Sequence, residues 1–261
     1  MAVSRFANEI DLSKLEYGEV KKFGDHGGKI VYVNYNAENK LSPFIIETPW
    51  LYVPYGLSHY PGDDGKQDSY LFDLSFRIDA EDADTEQGNA VQELHDKLAA
   101  LDEKNIDMCM ENSKAWVNKQ KASRDVCEAL YTPIIKYSID KETKERSTKY
   151  PPTFKIKLPY MGNQFKCEMY DTKRTLMSIK DTEMKGGKMR AMFKCTGVWL
   201  ANNKYGMSWR MIQMEVEPRV LNSGFRMRSM GRPAQVLDDE EEDDEENAEP
   251  AEAEAKNPLD D

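Results

Sequence analysis

The stretch MKGGKMRAMFKCTGVWLANNKYGMSWRMIQMEVE, residues 184–217, decides the fold, because polar and apolar residues alternate on both sides of a loop at Ala201–Gly206. Period-two alternation marks half-buried strands, so two long strands are predicted. In the first, Lys188, Arg190, Met192 and Lys194 share one face, opposite Met189, Ala191, Phe193 and Cys195. In the second, Trp209 shares a face with Met207 and Met211, and Arg210 lies on the other. TFKIKLPYM (153–161) repeats the pattern, with Phe154, Ile156 and Leu158 inward and Lys155 and Lys157 outward.

Working outward, IIKYSID (134–140), QFKCEMYD (164–171) and TLMSI (175–179) read as further strands. KIVYVNYN (29–36) alternates Ile30, Tyr32 and Asn34 with Val31, Val33 and Tyr35, and YLFDLSFRI (70–78) is a strong strand. FIIETPWLYVPYGLSHYPG (44–62) is broken by Pro49, Pro54 and Pro61. Proline denies a ladder donor, so an edge strand or a surface-hugging segment is expected there. Residues 1–25 are polar and show little periodicity. In the middle, Val91, Leu94, Leu98 and Leu101 form one apolar stripe at helical spacing, and a helical insert of about 85–130 ends at Thr132–Pro133. With no repeated βαβ unit, the fold class is mainly β, a small antiparallel barrel decorated by helices.

Charge divides the chain sharply. Asp238–Asp261 carries 14 carboxylates and one lysine, residues 136–232 carry 21 Lys/Arg against 9 Asp/Glu, and residues 1–135 carry 14 against 24. The tail has no aromatic residue and only Leu259 as a large aliphatic, so it is expected to be disordered. The domain plan is a body over 1–237, containing a basic linker at 219–232 with four arginines, and an acidic tail over 238–261. A basic, aromatic-bearing β segment tethered to an acidic tail is the charge plan of a polyanion binder.

Other functions find little support. Cys109, Cys127, Cys167 and Cys195 form no CxxC pair, and His26, His59 and His95 lack ligand spacing, so reduced thiols in an intracellular protein and no metal are expected. There is no GxSxG elbow or P-loop, so no enzyme is predicted. No run of 18 apolar residues occurs, and no membrane partner is expected. The candidate phosphate ligands are Lys155, Lys157, Lys188, Arg190, Lys194, Lys204 and Arg210; the candidate stacking residues are Trp199, Tyr205 and Trp50. Solvated lysines protecting an exposed sheet remain the alternative for the cations. Core packing remains the alternative for Trp209.

Three stretches together resemble a known family. SYLFDLSFRI followed by an amphipathic helix, YPPTFKIKLPY, and KMRAMFKCTGVWLANNKYGMSWRMIQMEVE resemble the viral single-stranded DNA-binding protein of the short-tailed coliphages, with relatives expected in large nucleocytoplasmic DNA viruses. The likeness covers roughly Tyr70–Glu217 and the tail. The chain departs from the family in its Leu259-Asp260-Asp261 end, where the phage proteins close on an aromatic residue, and in its proline-rich segment at 43–61, read as an addition wrapping the barrel.

The resemblance implies a single OB-fold-like barrel, no cofactor, and sequence-independent binding of single-stranded DNA in viral replication, recombination and repair. It implies a host nucleus or cytoplasmic viral replication site. The tail, led by Asp238, Asp239, Glu240, Glu241, Glu242, Asp243, Asp244, Glu245 and Glu246, would then compete with DNA and recruit the viral DNA polymerase or other replication proteins. A homodimer is compatible with the sequence. The rival readings are a structural or chaperone-type interaction protein acting on basic partners, and an RNA-binding module.

Removing Asp238–Asp261 changes the formal charge from −11 to +2. A flexible tether of that length spans about 25–30 Å at an effective concentration of about millimolar. The truncated chain is predicted to bind single-stranded DNA more tightly in fluorescence titrations, most visibly at low salt. Unchanged low-salt affinity together with intact partner binding would reduce the tail to a solubility appendage.

Overall fold

The computed structural model describes residues 3–23, 28–62, 67–140, 142–143, 145–147 and 149–219. Seven strands come first: β1 (Leu15–Phe23), β2 (Gly28–Ala37), β3 (Lys40–Pro43), β4 (Ile45–Glu47), β5 (Leu51–Tyr52), β6 (Leu57–Tyr60) and β7 (Ser69–Ser75). Three helices follow: α1 (Glu86–Glu111), α2 (Ser113–Val117) and α3 (Arg124–Leu130). The remaining strands are β8 (Tyr131–Thr132), β9 (Ile135–Lys136), β10 (Thr153–Leu158), β11 (Tyr160–Met161), β12 (Gln164–Phe165), β13 (Glu168–Asp171), β14 (Lys188–Ala201) and β15 (Lys204–Glu217).

The fold is mainly β, and its central sheet closes on itself. β14 pairs with β5, β5 with β7, β7 with β10, β10 with β15, and β15 returns to β14. Only the β10–β15 junction in this circuit is parallel. A closed five-strand circuit with the helices inserted between β7 and β10 is OB-fold-like. Phe72, Leu74, Phe154, Ile156 and Phe193 fill its interior, each fully buried. The inserted α1 buries Val91, Leu94, Leu98 and Leu101, the stripe expected from their spacing, and Thr85 caps its first turn by accepting from the Gly88 N–H at 3.2 Å.

Three expectations are corrected. The proline-broken segment does not wrap the outside, because β4 and β5 both pair with β14 and β5 closes the circuit. Pro49 and Pro54 fall in the gaps between short strands, where no ladder donor is needed. At the first gap, buried Thr48 substitutes its hydroxyl, which accepts from the Ala191 N–H at 2.9 Å. Secondly, the polar N-terminal stretch contains β1, which pairs antiparallel with β2; only Leu15 of its nine residues is buried, so no alternation is written in the sequence. Thirdly, TLMSI is not a strand and makes only a bridge from Leu176 to Tyr170.

β14 and β15 are longer than predicted. The turn between them is only Asn202-Asn203, with φ of 50° and 58°. Two positive φ values at the centre of a two-residue loop match a type I′ turn, whose twist suits the flanking strands. Two bulges shape the pair: Ile212 is the extra residue on β15 and Thr196 on β14. After the second bulge, Gly197 adopts φ 129°, and a Cβ there would lie 2.4 Å from the Val31 carbonyl oxygen. That close approach lets β2 pair with β14 from Val198 onward. Gly197→Ala is therefore predicted to destabilise the protein by more than about 1 kcal/mol. The expected fall in Tm is about 2–4 °C per kcal/mol; an unchanged Tm would show that β2 packs without this approach.

Candidate nucleic-acid interface

Alternation places three cations side by side. Along β10, Ile156 and Leu158 point inward, which turns Lys157 outward; Trp209 and Met211 do the same for Arg210 on β15, and Phe193 and Cys195 for Lys194 on β14. Register then aligns them, since Lys157 is opposite Arg210 and Lys194 is opposite Arg210. Like charges directly opposite one another on neighbouring strands are destabilising. Among the described residues, none of the three makes an ion pair.

Two other predicted cations are treated differently. Lys155 faces its register partner Asp73, with the ammonium 3.5 Å from the buried carboxylate. Arg190 donates to its register partner Glu215 at 2.6 Å. Arg190 and Glu215 also line a separate cavity of about 250 Å³ with Glu47 and Arg174, where opposite charges compensate locally. The sequence shows six equivalent outward cations on these strands, Lys188 among them. The fold neutralises Lys155 and Arg190, sets Lys188 apart, and leaves Lys157, Arg210 and half-buried Lys194 in a row.

The unpaired row lies in a groove of about 820 Å³, whose lining also includes Lys166, Tyr160, Trp199 and the outward side of β2. Tyr160 is held in place: its ring packs edge-on against Tyr70 at 4.7 Å, and the Lys180 ammonium donates to its hydroxyl at 3.1 Å. Hydrogen bonds to the hydroxyls of Tyr160 and Tyr70 hold the Lys180 pKa above the ordinary lysine range. Trp199 is half-buried and lies across Gly206, where a Cβ would come within 2.9 Å of the indole. The groove therefore combines unpaired cations with partly exposed ring faces, which is what holding phosphates and stacking bases requires.

The other predicted positions lie elsewhere. Trp50 and Lys188 do not line the groove; both line a small cleft by Tyr52, Arg77 and Gln87. Lys188 is six residues from Lys194 along β14, roughly 20 Å in an extended strand, and its ammonium sits 4.9 Å from the Tyr52 ring centroid. Lys204 is exposed beside the Asn202-Asn203 turn. Tyr205 is corrected outright: it is fully buried, donates to the Cys127 carbonyl at 3.1 Å, and offers no face to a base. Trp209 also belongs to the core, packed edge-on against Phe193 at 5.1 Å. The acidic tail and the linker beyond Arg219 lie outside the described residues.

Burial pushes the thiols of Cys109, Cys167 and Cys195 up to about 12, so they are poor nucleophiles at neutral pH. Among the described residues, no three His, Cys, Asp or Glu side chains cluster in a way that could hold a metal ion. No helix among them is long and apolar enough to cross a membrane.

A mainly β barrel carrying a basic, aromatic groove is the class of protein that fold and site define. The chain belongs to a family of unknown function, DUF5871, whose family model matches residues 77–225. No curated protein matches it. Among solved structures it is similar to the single-stranded DNA-binding protein gp2.5 encoded by bacteriophage T7, with 13% identity over 74% of this chain and 100% of that one, TM-score 0.40. It is also similar to the single-stranded DNA-binding protein of bacteriophage Enc34 solved in complex with ssDNA, with 11% identity over 78% of this chain and 96% of that one, TM-score 0.37.

The contrast between Trp199 and Tyr205 is measurable. Tyr205→Ala is predicted to cost about 3–5 kcal/mol, as for other large buried aromatics, whereas Trp199→Ala should cost less than half as much. Equal losses in thermal denaturation would make Trp199 a core residue and remove it from the groove's binding set.

Proposed function

We propose that the protein binds single-stranded DNA without sequence preference. The observation that carries this reading is the unpaired row of Lys157, Arg210 and Lys194 across three adjacent strands. Phosphates are the partners that relieve such a row, and Trp199 and Tyr160 beside it supply ring faces for unpaired bases. A duplex buries its bases against one another and could use only the cations. The physiological setting we propose is viral DNA replication, recombination and repair, in the host nucleus or a cytoplasmic replication site. There the acidic tail would compete for the groove and recruit the viral DNA polymerase or other replication proteins.

The test is a titration of tryptophan fluorescence with oligo-dT, and with duplex DNA and RNA of equal length, over a range of salt. If Lys157, Lys166, Lys194 and Arg210 each meet a phosphate, log K against log salt should fall with a slope of about −3, at roughly −0.7 per contact. Lys194→Ala should make that slope shallower by a fraction of a unit, and Lys155→Ala should leave it unchanged because that ammonium is already paired. Equal affinity for duplex and single strand, or no salt dependence, would refute the proposal. Stronger binding of RNA would assign the same groove to the other sugar.

A further inference from the structure

The β1–β2 hairpin lies outside residues 77–225, in the acidic half of the chain, yet it supplies the far wall of the groove. Alternation along β2 sends Val31, Val33 and Tyr35 into the core. It turns Ile30, Tyr32 and Asn34 onto the groove, where Phe23 at the end of β1 joins them. Phe23 is 57% exposed and Tyr32 is 44% exposed. The Lys21 ammonium lies 5.7 Å from the Tyr32 ring centroid, within cation–π range, which puts a further cation beside this wall. Across the groove, Tyr160 and Met161 are its other lining, and Met161 is 61% exposed.

Scattered surface aromatics need no explanation, but these two rings flank three cations that lack carboxylate partners among the described residues. Charge complementarity selects a polyanion, and the rings select one with free flat faces.

We propose that Phe23 and Tyr32 form a second base-stacking wall opposite Tyr160, so that a single strand lies between two aromatic walls with its phosphates over the Lys157–Arg210–Lys194 row. This deepens the single-strand reading of the groove and rests on it. The wall adds a selection that the cations alone lack: a phosphate chain without bases, or a duplex with its bases stacked inside, gains nothing from it.

The experiment uses the full chain with two probes of equal length, oligo-dT and a base-free deoxyribose-phosphate oligomer. Wild type should prefer oligo-dT. Phe23→Ala and Tyr32→Ala should each weaken oligo-dT binding by about 5- to 150-fold, the range for losing one stacked base. Base-free binding and the salt slope should stay unchanged. Phe23→Trp and Tyr32→Phe should restore wild-type affinity for oligo-dT. Both alanine substitutions fall at exposed positions, and a thermal melt checks that each variant is folded. Alanine variants that bind oligo-dT as wild type does, with wild type itself binding in a salt-dependent way, would overturn the wall while leaving the cation row standing. Wild type that binds neither probe would overturn the underlying reading as well.

Discussion

The β14–β15 hairpin is the constraint on which the other strands depend. β2, β4 and β5 pair with β14, and β8, β10 and β13 pair with β15, so its register fixes where six further strands sit. Register has a discrete consequence in a sheet, because a slip of one residue sends every side chain to the opposite face. Here a slip would bury Lys194 and Arg210 and expose Phe193 and Trp209. The Asn202-Asn203 turn and the bulges at Thr196 and Ile212 set the register, and Gly197 lets β2 approach where the second bulge ends. The alignment of the three cations is thus a product of backbone geometry.

Against that frame, the polar groups sort by whether the fold satisfies them. The helical insert is tied down by a chain of hydrogen bonds centred on the buried Asn105–Tyr131 pair. Tyr17 donates to the Asn105 amide oxygen at 3.0 Å, the Asn105 amide donates to the Tyr131 hydroxyl at 3.2 Å, and Tyr131 donates to Asp102 at 2.6 Å. Burial pushes the Asp102 carboxyl up, opposed by that hydroxyl and by the backbone N–H groups of Ile134 and Ile135. Asp73 and Glu215 likewise meet their cations in register. Two rungs of the sheet thus match cation to carboxylate, whereas among the described residues the Lys157–Arg210–Lys194 row makes no ion pair.

Much of this was legible in residues 188–195, 207–211 and 154–158, where alternation is strict and the inward and outward faces came out as predicted. The helical stripe of α1 was legible for the same reason. β1 was not, because an edge strand that buries only Leu15 need not alternate. Nor was the role of residues 44–53: proline argues against a continuous strand, and the barrel uses a broken one. The reading of Ala201–Gly206 as a loop misplaced Tyr205, which the two-residue turn returns to the strand and to the core. Pairing information was the deeper gap. Nothing along the chain says that Lys155 meets Asp73 or that Arg190 meets Glu215, since these contacts join strands 82 and 25 positions apart in the sequence. The same gap hid the Phe23–Tyr32 wall.

The central claim is that the fold tolerates repulsion among Lys157, Lys194 and Arg210 because a polyanion relieves it. The most direct measurement is the Tm of the protein beside that of a variant carrying Lys157→Gln, Lys194→Gln and Arg210→Gln, each with and without oligo-dT at low salt. The account predicts that without ligand the variant melts above wild type, and that oligo-dT raises the Tm of wild type by more than that of the variant. A variant that melts below wild type and is stabilised by oligo-dT to the same extent would contradict it.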